Sequence, residues 1–223
     1  MSSSSRILIE CPKCKKETET RLWNIINSTL NPEMKQKILD GTAFRFICPE
    51  CGYDTVLDYG FLYHDMKRKL MVYYVTDEKQ FNSVLDMFCG KDSVSGDNGV
   101  GIPDIAKDGY TLRIVTSFNE MREKIHISDA GYDDRVMELA KVFYYVQLTE
   151  QDPDFNSELM FFRSEDGNGY LELVGGKNAD NAIEFTEDTY KLFSDRFLAE
   201  LEEDCYIIDQ NWAVDYIHGK TEE

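Results

Sequence analysis

Cys11-Pro12-Lys13-Cys14 and Cys48-Pro49-Glu50-Cys51-Gly52 are two copies of one pattern near the start of a 223-residue chain. Structural zinc takes four ligands in a tetrahedron, and thiolate sulfurs satisfy it at about 2.3 Å. Two residues between cysteines let one tight turn aim both sulfurs at a single point. Pro12 and Pro49 preset φ near about −65° and carry no N–H. The amides that follow can then point back at the first sulfur and spread its charge. Gly52 permits a positive φ where the chain leaves the second turn. Lys15 holds the equivalent place in the first turn, which is therefore either strained or shaped differently. Cys11, Cys14, Cys48 and Cys51 are read as the ligands of one structural Zn²⁺, with Lys13, Lys15 and Lys16 placed to offset its thiolate charge.

A disulfide pair, a dithiol redox centre and an iron–sulfur cluster compete with this reading. A redox Cys-x-x-Cys comes once, near a βαβ pattern. Iron–sulfur ligands come at other spacings, often three close together. The separation between the pairs, residues 15–47, exceeds the usual ~15–20, so something folded must fill it. Asn31-Pro32-Glu33 starts a helix with a capping side chain, a proline at its first position and an acid in its first turn. Leu30, Met34 and Ile38 share a face, and Gly41 closes the helix.

Strands are expected on either side of each cysteine turn: 6–10 and 18–22 about the first, 42–47 and 53–59 about the second. A hairpin follows, with Phe61-Leu62-Tyr63 joined to residues 69–75 by a turn around His64-Asp65-Met66-Lys67. Paired CPxC motifs, the helix from Asn31 to Gly41 and the Tyr63-His64-Asp65 run resemble the CpXC family of bacterial and archaeal proteins. The likeness continues at Arg122-Glu123-Lys124-Ile125 and Gly131-Tyr132-Asp133-Asp134-Arg135, over residues 8–145. The resemblance implies metal binding at Cys11, Cys14, Cys48 and Cys51 and no particular activity.

Further on, residues 77–88 read as an amphipathic helix carrying Phe81, Val84, Leu85 and Phe88. Residues 90–109 read as a surface loop, in which Gly99-Val100-Gly101 lacks the context of a nucleotide loop. A strand at 110–116 leads to a helix capped by Ser117. Asp133-Asp134 open a helix to about 147, whose stripe of Val136, Leu139, Ala140, Phe143 and Val146 is read as core. Gln151-Asp152-Pro153-Asp154 is the linker candidate. Strands at 158–163 and 170–174 flank a Glu165–Gly169 turn, with a third strand at 182–185. A helix from Thr186 to about 203, a strand at 206–208 and a short helix at 212–217 close the chain.

The resulting expectation is an α+β protein: an N-terminal zinc ribbon, made of two cysteine-turn β-hairpins with an inserted short helix, joined to an antiparallel-sheet-plus-helices body. The divisions expected are a disordered tail at 1–5, the ribbon at 6–75, a body at 76–150, a C-terminal α+β unit at 154–218 and a tail at 219–223.

Composition narrows the function classes. The formal charge is −18, and residues 76–223 carry 33 Asp and Glu against 13 Lys and Arg. Such a surface repels nucleic acid, whose binding needs clustered cations. There is no signal-peptide pattern and no apolar run long enough for a membrane span, so a cytoplasmic protein with reduced thiols is expected. Cys89 and Cys205 are read as buried free thiols. No catalytic motif is present, and no catalytic residue, small-molecule substrate or cofactor other than zinc is expected. His126 and His218 are read as packing or surface residues. The reading is a zinc-binding interaction or assembly module with a protein partner. The alternatives are a thiol redox or zinc-responsive sensor, or an enzyme with a site near His64 and Asp65.

Overall fold

In a computed structural model of the chain, the described residues are 2–90, 108–179, 181–202 and 205–221. They form a mixed α+β structure in two compact units, Met1–Met121 and Arg122–Glu223. The division falls inside a helix, away from the acidic 151–154 segment expected as the linker.

The first unit carries a five-stranded sheet. Its strands are β1 (Ser3–Glu10), β2 (Glu17–Asn27), β5 (Phe61–Asp65), β6 (Leu70–Tyr74) and β7 (Thr111–Val115), in the order β1-β2-β5-β6-β7. β1 with β2 and β5 with β6 pair antiparallel, but β2 with β5 and β6 with β7 pair parallel. This sheet is therefore mixed, and the expectation of antiparallel pairing fails for β7, the body's strand here. Parallel neighbours need a crossover connection. The one from β2 to β5 contains helix α1 (Pro32–Leu39) and a separate hairpin of β3 (Arg45–Ile47) and β4 (Asp54–Val56). Strand β2, helix α1 and strand β3 together occupy the long separation between the cysteine pairs.

Two expectations fail at the edges of these strands. Residues 3–5 of the expected tail instead belong to β1, with Ser3, Ser4 and Ser5 opposite Ile25, Trp23 and Leu22. Serine has no strand preference of its own, so only the long β2 opposite explains it. His64 and Asp65 end β5 rather than forming the turn, which begins at Met66.

Aromatic rings fill the core of this unit. Phe44 and Phe61 lie with centroids 4.6 Å apart, and Phe118 and Tyr74 close on them edge-on. Helix α2 (Glu78–Phe88) is capped by Asp77, which accepts from the Gln80 amide at 2.8 Å, and it buries Val84 and Phe88. The 90–109 loop, with Gly99-Val100-Gly101, lies mostly outside the described residues.

Helix α3 (Phe118–Ala130) starts with a reciprocal cap: the Ser117 hydroxyl accepts from the Glu120 amide, and Glu120 accepts from Ser117. In the second unit, α4 (Asp134–Gln151), α5 (Glu187–Phe197) and α6 (Gln210–Thr221) accompany an antiparallel sheet. Its strands are β8 (Leu159–Glu165), β9 (Asn168–Val174) and β10 (Ala182–Phe185), in the order β10-β9-β8. The β8–β9 turn is Asp166-Gly167, with φ of 50° and 83°, the left-handed pair that a two-residue hairpin requires. The core joins Ile127, Met137 and Ala140 to Phe162, Leu171 and Phe185.

The apolar stripe of α4 is core only in part. Val136, Leu139 and Ala140 are fully buried, whereas Phe143 and Val146 are exposed. The strand expected at 206–208 is absent, and the last helix is longer than expected, running to Thr221 through part of the expected tail.

Candidate metal centre

Each cysteine pair caps a hairpin. Cys11 and Cys14 sit in the β1–β2 connection, Cys48 and Cys51 in the β3–β4 connection. Both turns close by the same backbone bonds. The Lys15 amide donates to the Cys11 carbonyl at 2.9 Å, and the Gly52 amide to the Cys48 carbonyl at 2.9 Å. Lys15 has φ 62° and Gly52 φ 66°. The two turns therefore share one shape, and Lys15 adopts the left-handed conformation despite its Cβ, at a cost of about 1–2 kcal/mol.

The two turns bring all four sulfurs within 4.8 Å of one another. Cys11 Sγ lies 3.7 Å from Cys51 Sγ, and Cys14 Sγ 3.7 Å from Cys48 Sγ. Sulfurs placed tetrahedrally at the zinc–thiolate bond length would stand about 3.8 Å apart. No other group of three or more His, Cys, Asp or Glu among the described residues is placed to share a metal ion. Cys11 and Cys48 are buried with Phe46, flanked by Ile9, Tyr53 and Leu57, while Cys14 and Cys51 are half-buried. Packing shields one sulfur of each pair and leaves the other toward solvent.

The protons of this cluster are shared unequally. Burial pushes the Cys11 thiol up, but the Cys14 and Lys13 amides and the Cys48 and Cys51 thiols bring it down to about 7. The Tyr53 amide draws Cys51 down, yet burial and the hydrogen bonds of the three other thiols leave it raised, to about 12. Thiolates this close repel, so the set cannot all ionise without a cation among them. Two of the flanking lysines, Lys15 and Lys16, are committed to carboxylates. Lys15 Nζ lies 3.3 Å from Glu10, and Lys16 bridges the two cysteine turns to Glu50. The fields of Cys14 and Cys48 also reach Lys16.

The other sequence candidates do not assemble. His64 and Asp65 are consecutive in a strand, so their side chains leave on opposite faces. His64 Nε2 lies 3.2 Å from the Tyr110 hydroxyl, and Nδ1 3.5 Å from Asn27 Nδ2. Burial holds His64 below the usual histidine range. Asp65 is nearly buried, accepts from the Arg68 amide at 3.0 Å and faces Lys35 Nζ at 3.3 Å. It caps a turn. His126 is half-buried in α3, with Nδ1 3.4 Å from the Ser164 amide and hydroxyl. His218 lies in α6. Cys89 corrects the expectation of burial: it follows the last turn of α2 and is exposed. Cys205 is half-buried, its thiol donating to the Ile207 carbonyl at 3.1 Å.

One feature was not expected from sequence. Glu123, Lys124, Asp134, Glu138 and Lys141 are all buried within the second unit. Lys141 Nζ sits 2.8 Å from Glu123 and 2.9 Å from Glu138, and Lys124 Nζ sits 2.9 Å from Asp134. Glu123 also accepts from the Phe162 amide, and Lys124 donates to the Ile208 carbonyl. The only signal was spacing: positions 134, 138 and 141 share one helix face, a pattern that reads equally well as a solvated stripe.

Residues 9–141 match the family model described as CpXC protein, well over half of the chain. No curated protein and no solved structure matches. Among the described residues, no helix is long and apolar enough to cross a membrane.

Proposed function

The chain belongs to the CpXC protein family, and from that premise we propose that Cys11, Cys14, Cys48 and Cys51 hold one structural Zn²⁺ as a zinc ribbon. The observation that carries this reading is the sulfur geometry, two cross-pair distances of 3.7 Å inside a four-sulfur cluster. Four thiolates suit zinc over harder cations, which prefer oxygen. The ion would crosslink the β1–β2 and β3–β4 hairpins. Four protein ligands fill its tetrahedron, whereas a catalytic zinc keeps one position for water.

The hairpins so joined act as an interaction module for a protein partner in the cytoplasm. Ile7, Leu8, Ile47 and Val56 lie on them and are exposed, Leu8 by 64% and Val56 by 60%. Exposed apolar side chains on both ribbons are the positions offered for such a contact. Metal analysis of the purified chain and of the four single Cys→Ser variants tests the site. About one zinc per chain in the wild type and loss of metal in each variant is expected. Full metal in two of the variants would overturn the four-ligand site.

A further inference from the structure

The outer edge of β1 is written to meet itself. β1 is the edge strand of its sheet, and all of its residues but Ile9 are exposed. Its hydrogen-bond phase is fixed by the Cys11 amide, which donates to the Lys16 carbonyl across the hairpin. In an antiparallel ladder the pairing alternates residue by residue. Ile7 and Ile9 therefore turn their backbone groups toward β2. Arg6, Leu8 and Glu10 present theirs to the open edge.

Those same three residues are poorly matched within the hairpin. Arg6 stands opposite Arg21, Leu8 opposite Glu19 and Glu10 opposite Glu17. Like charges directly across a ladder are destabilising. Among the described residues a diagonal contact relieves Arg6, whose Nη1 lies 3.0 Å from Glu19, and a turn lysine relieves Glu10, with Lys15 Nζ at 3.3 Å.

We infer that β1 pairs with β1 of a second copy of this chain, antiparallel about a twofold axis at Leu8, to extend the sheet across a homodimer. The inference rests on reading the hairpins as an interaction surface and names the partner. In that register Leu8 meets the partner subunit's Leu8. Arg6 meets the partner subunit's Glu10, and Glu10 meets the partner subunit's Arg6. Each outward residue then exchanges both backbone hydrogen bonds, and each charge gains an opposite sign directly across the ladder, where its own hairpin places a like one. Ile7 and Ile9 pair across the other face. An open edge with exposed aliphatic residues is a template for such addition, and a C2 contact requires a self-complementary patch. The run Arg-Ile-Leu-Ile-Glu at 6–10, opposite in charge at its two ends about Leu8, is one.

Light scattering coupled to size exclusion, on the full metal-loaded chain from low to high micromolar concentration, tests the pairing. The wild type is expected at twice the chain mass. Leu8→Lys puts two ammonium groups together at the axis while giving Glu19 an opposite charge within the hairpin, so the dimer is lost and the monomer stays folded. Arg6→Glu is likewise expected to abolish the dimer, and the exchange Arg6→Glu with Glu10→Arg to restore it. Metal content read on the same fractions keeps two failures apart, since it reports the four-cysteine site and mass reports the pairing. A wild type that stays monomeric with full metal, or a dimer indifferent to Leu8→Lys, would overturn the inference.

Discussion

Two regions of this protein concentrate charge, and they neutralise it in opposite ways. Around the four cysteines the apolar core is no more than Cys11, Phe46 and Cys48 with a few half-buried neighbours. Their four thiols are placed so that they could share a metal ion, a counter-charge that the chain itself does not supply. In the second unit, Glu123, Asp134 and Glu138 are matched by Lys124 and Lys141 from the same pair of helices, beside a large core. With a metal ion as its counter-charge, the first region would depend on solution conditions. The second carries its counter-charges in the chain. Metal should govern the one and leave the other unmoved.

Chelation is the largest test of this contrast. Structural zinc in small modules contributes roughly 10–16 kcal/mol of apparent free energy, against a net domain stability of about 5–15 kcal/mol. Removing it should release the two cysteine hairpins, seen as rapid amide exchange over 6–27 and 45–56, while Met137, Leu171 and Phe185 keep their protection. Equal loss in both units would erase the distinction.

Next comes Lys141→Ala. It leaves Glu123 and Glu138 facing each other in a buried site, and breaking such a pair costs about 3–5 kcal/mol. The expected result is a lower denaturation midpoint for the second unit with unchanged metal content. A neutral outcome would mean that water reaches the network.

Smaller effects test the shared shape of the two cysteine turns. Gly52→Ala forces a Cβ onto φ 66°, with no atom within 4 Å to clash with it, so the expected loss is backbone strain of about 1–2 kcal/mol. Lys15→Gly relieves the same strain at φ 62° and should stabilise by up to about 1 kcal/mol, less what its contact with Glu10 contributes. Opposite signs at the two positions, read by chemical denaturation, would sharpen the equivalence. The same sign would break it.

Acid gives the subtlest separation. Burial pushes Asp65 up, but the Arg68 amide and Lys35 outweigh it and hold the carboxyl below its usual value. Its contribution is present above the ordinary aspartate range and is lost as pH falls through the folded value. Burial leaves Glu138 raised despite Lys141, so its linkage runs the other way: stability is lost as pH rises through the folded value. Asp65→Asn should flatten the acid limb of the first unit's stability curve. Glu138→Gln should flatten the decline of the second unit's curve above the ordinary glutamate range. Each is checked by melting across pH.

Local chemistry was legible in the sequence and non-local pairing was not. The cysteine turns, the hairpin turn at Glu165–Gly169 and the Ser117 cap each announce themselves within a few residues, because turn and cap geometry is decided there. The parallel pairing of β2 with β5 depends on residues far apart in the chain. Ser3 to Ser5 join β1 only because β2 runs opposite them. The burial of Glu123, Lys124 and Glu138 was not legible, because charge favours exposure until partners are known. His64 and Asp65 looked like a pair because sequence neighbours are easily mistaken for spatial ones, and a strand sends them apart.

The most direct test is a thiol count with metal analysis on protein purified without added metal. Six cysteines are present, and two of them, Cys89 and Cys205, lie outside the four-sulfur cluster. About one zinc per chain, with two thiols reacting at first and four more released by a chelator, is the expected result. Six thiols reacting at once with no metal, or iron in place of zinc, would contradict the four-cysteine zinc site.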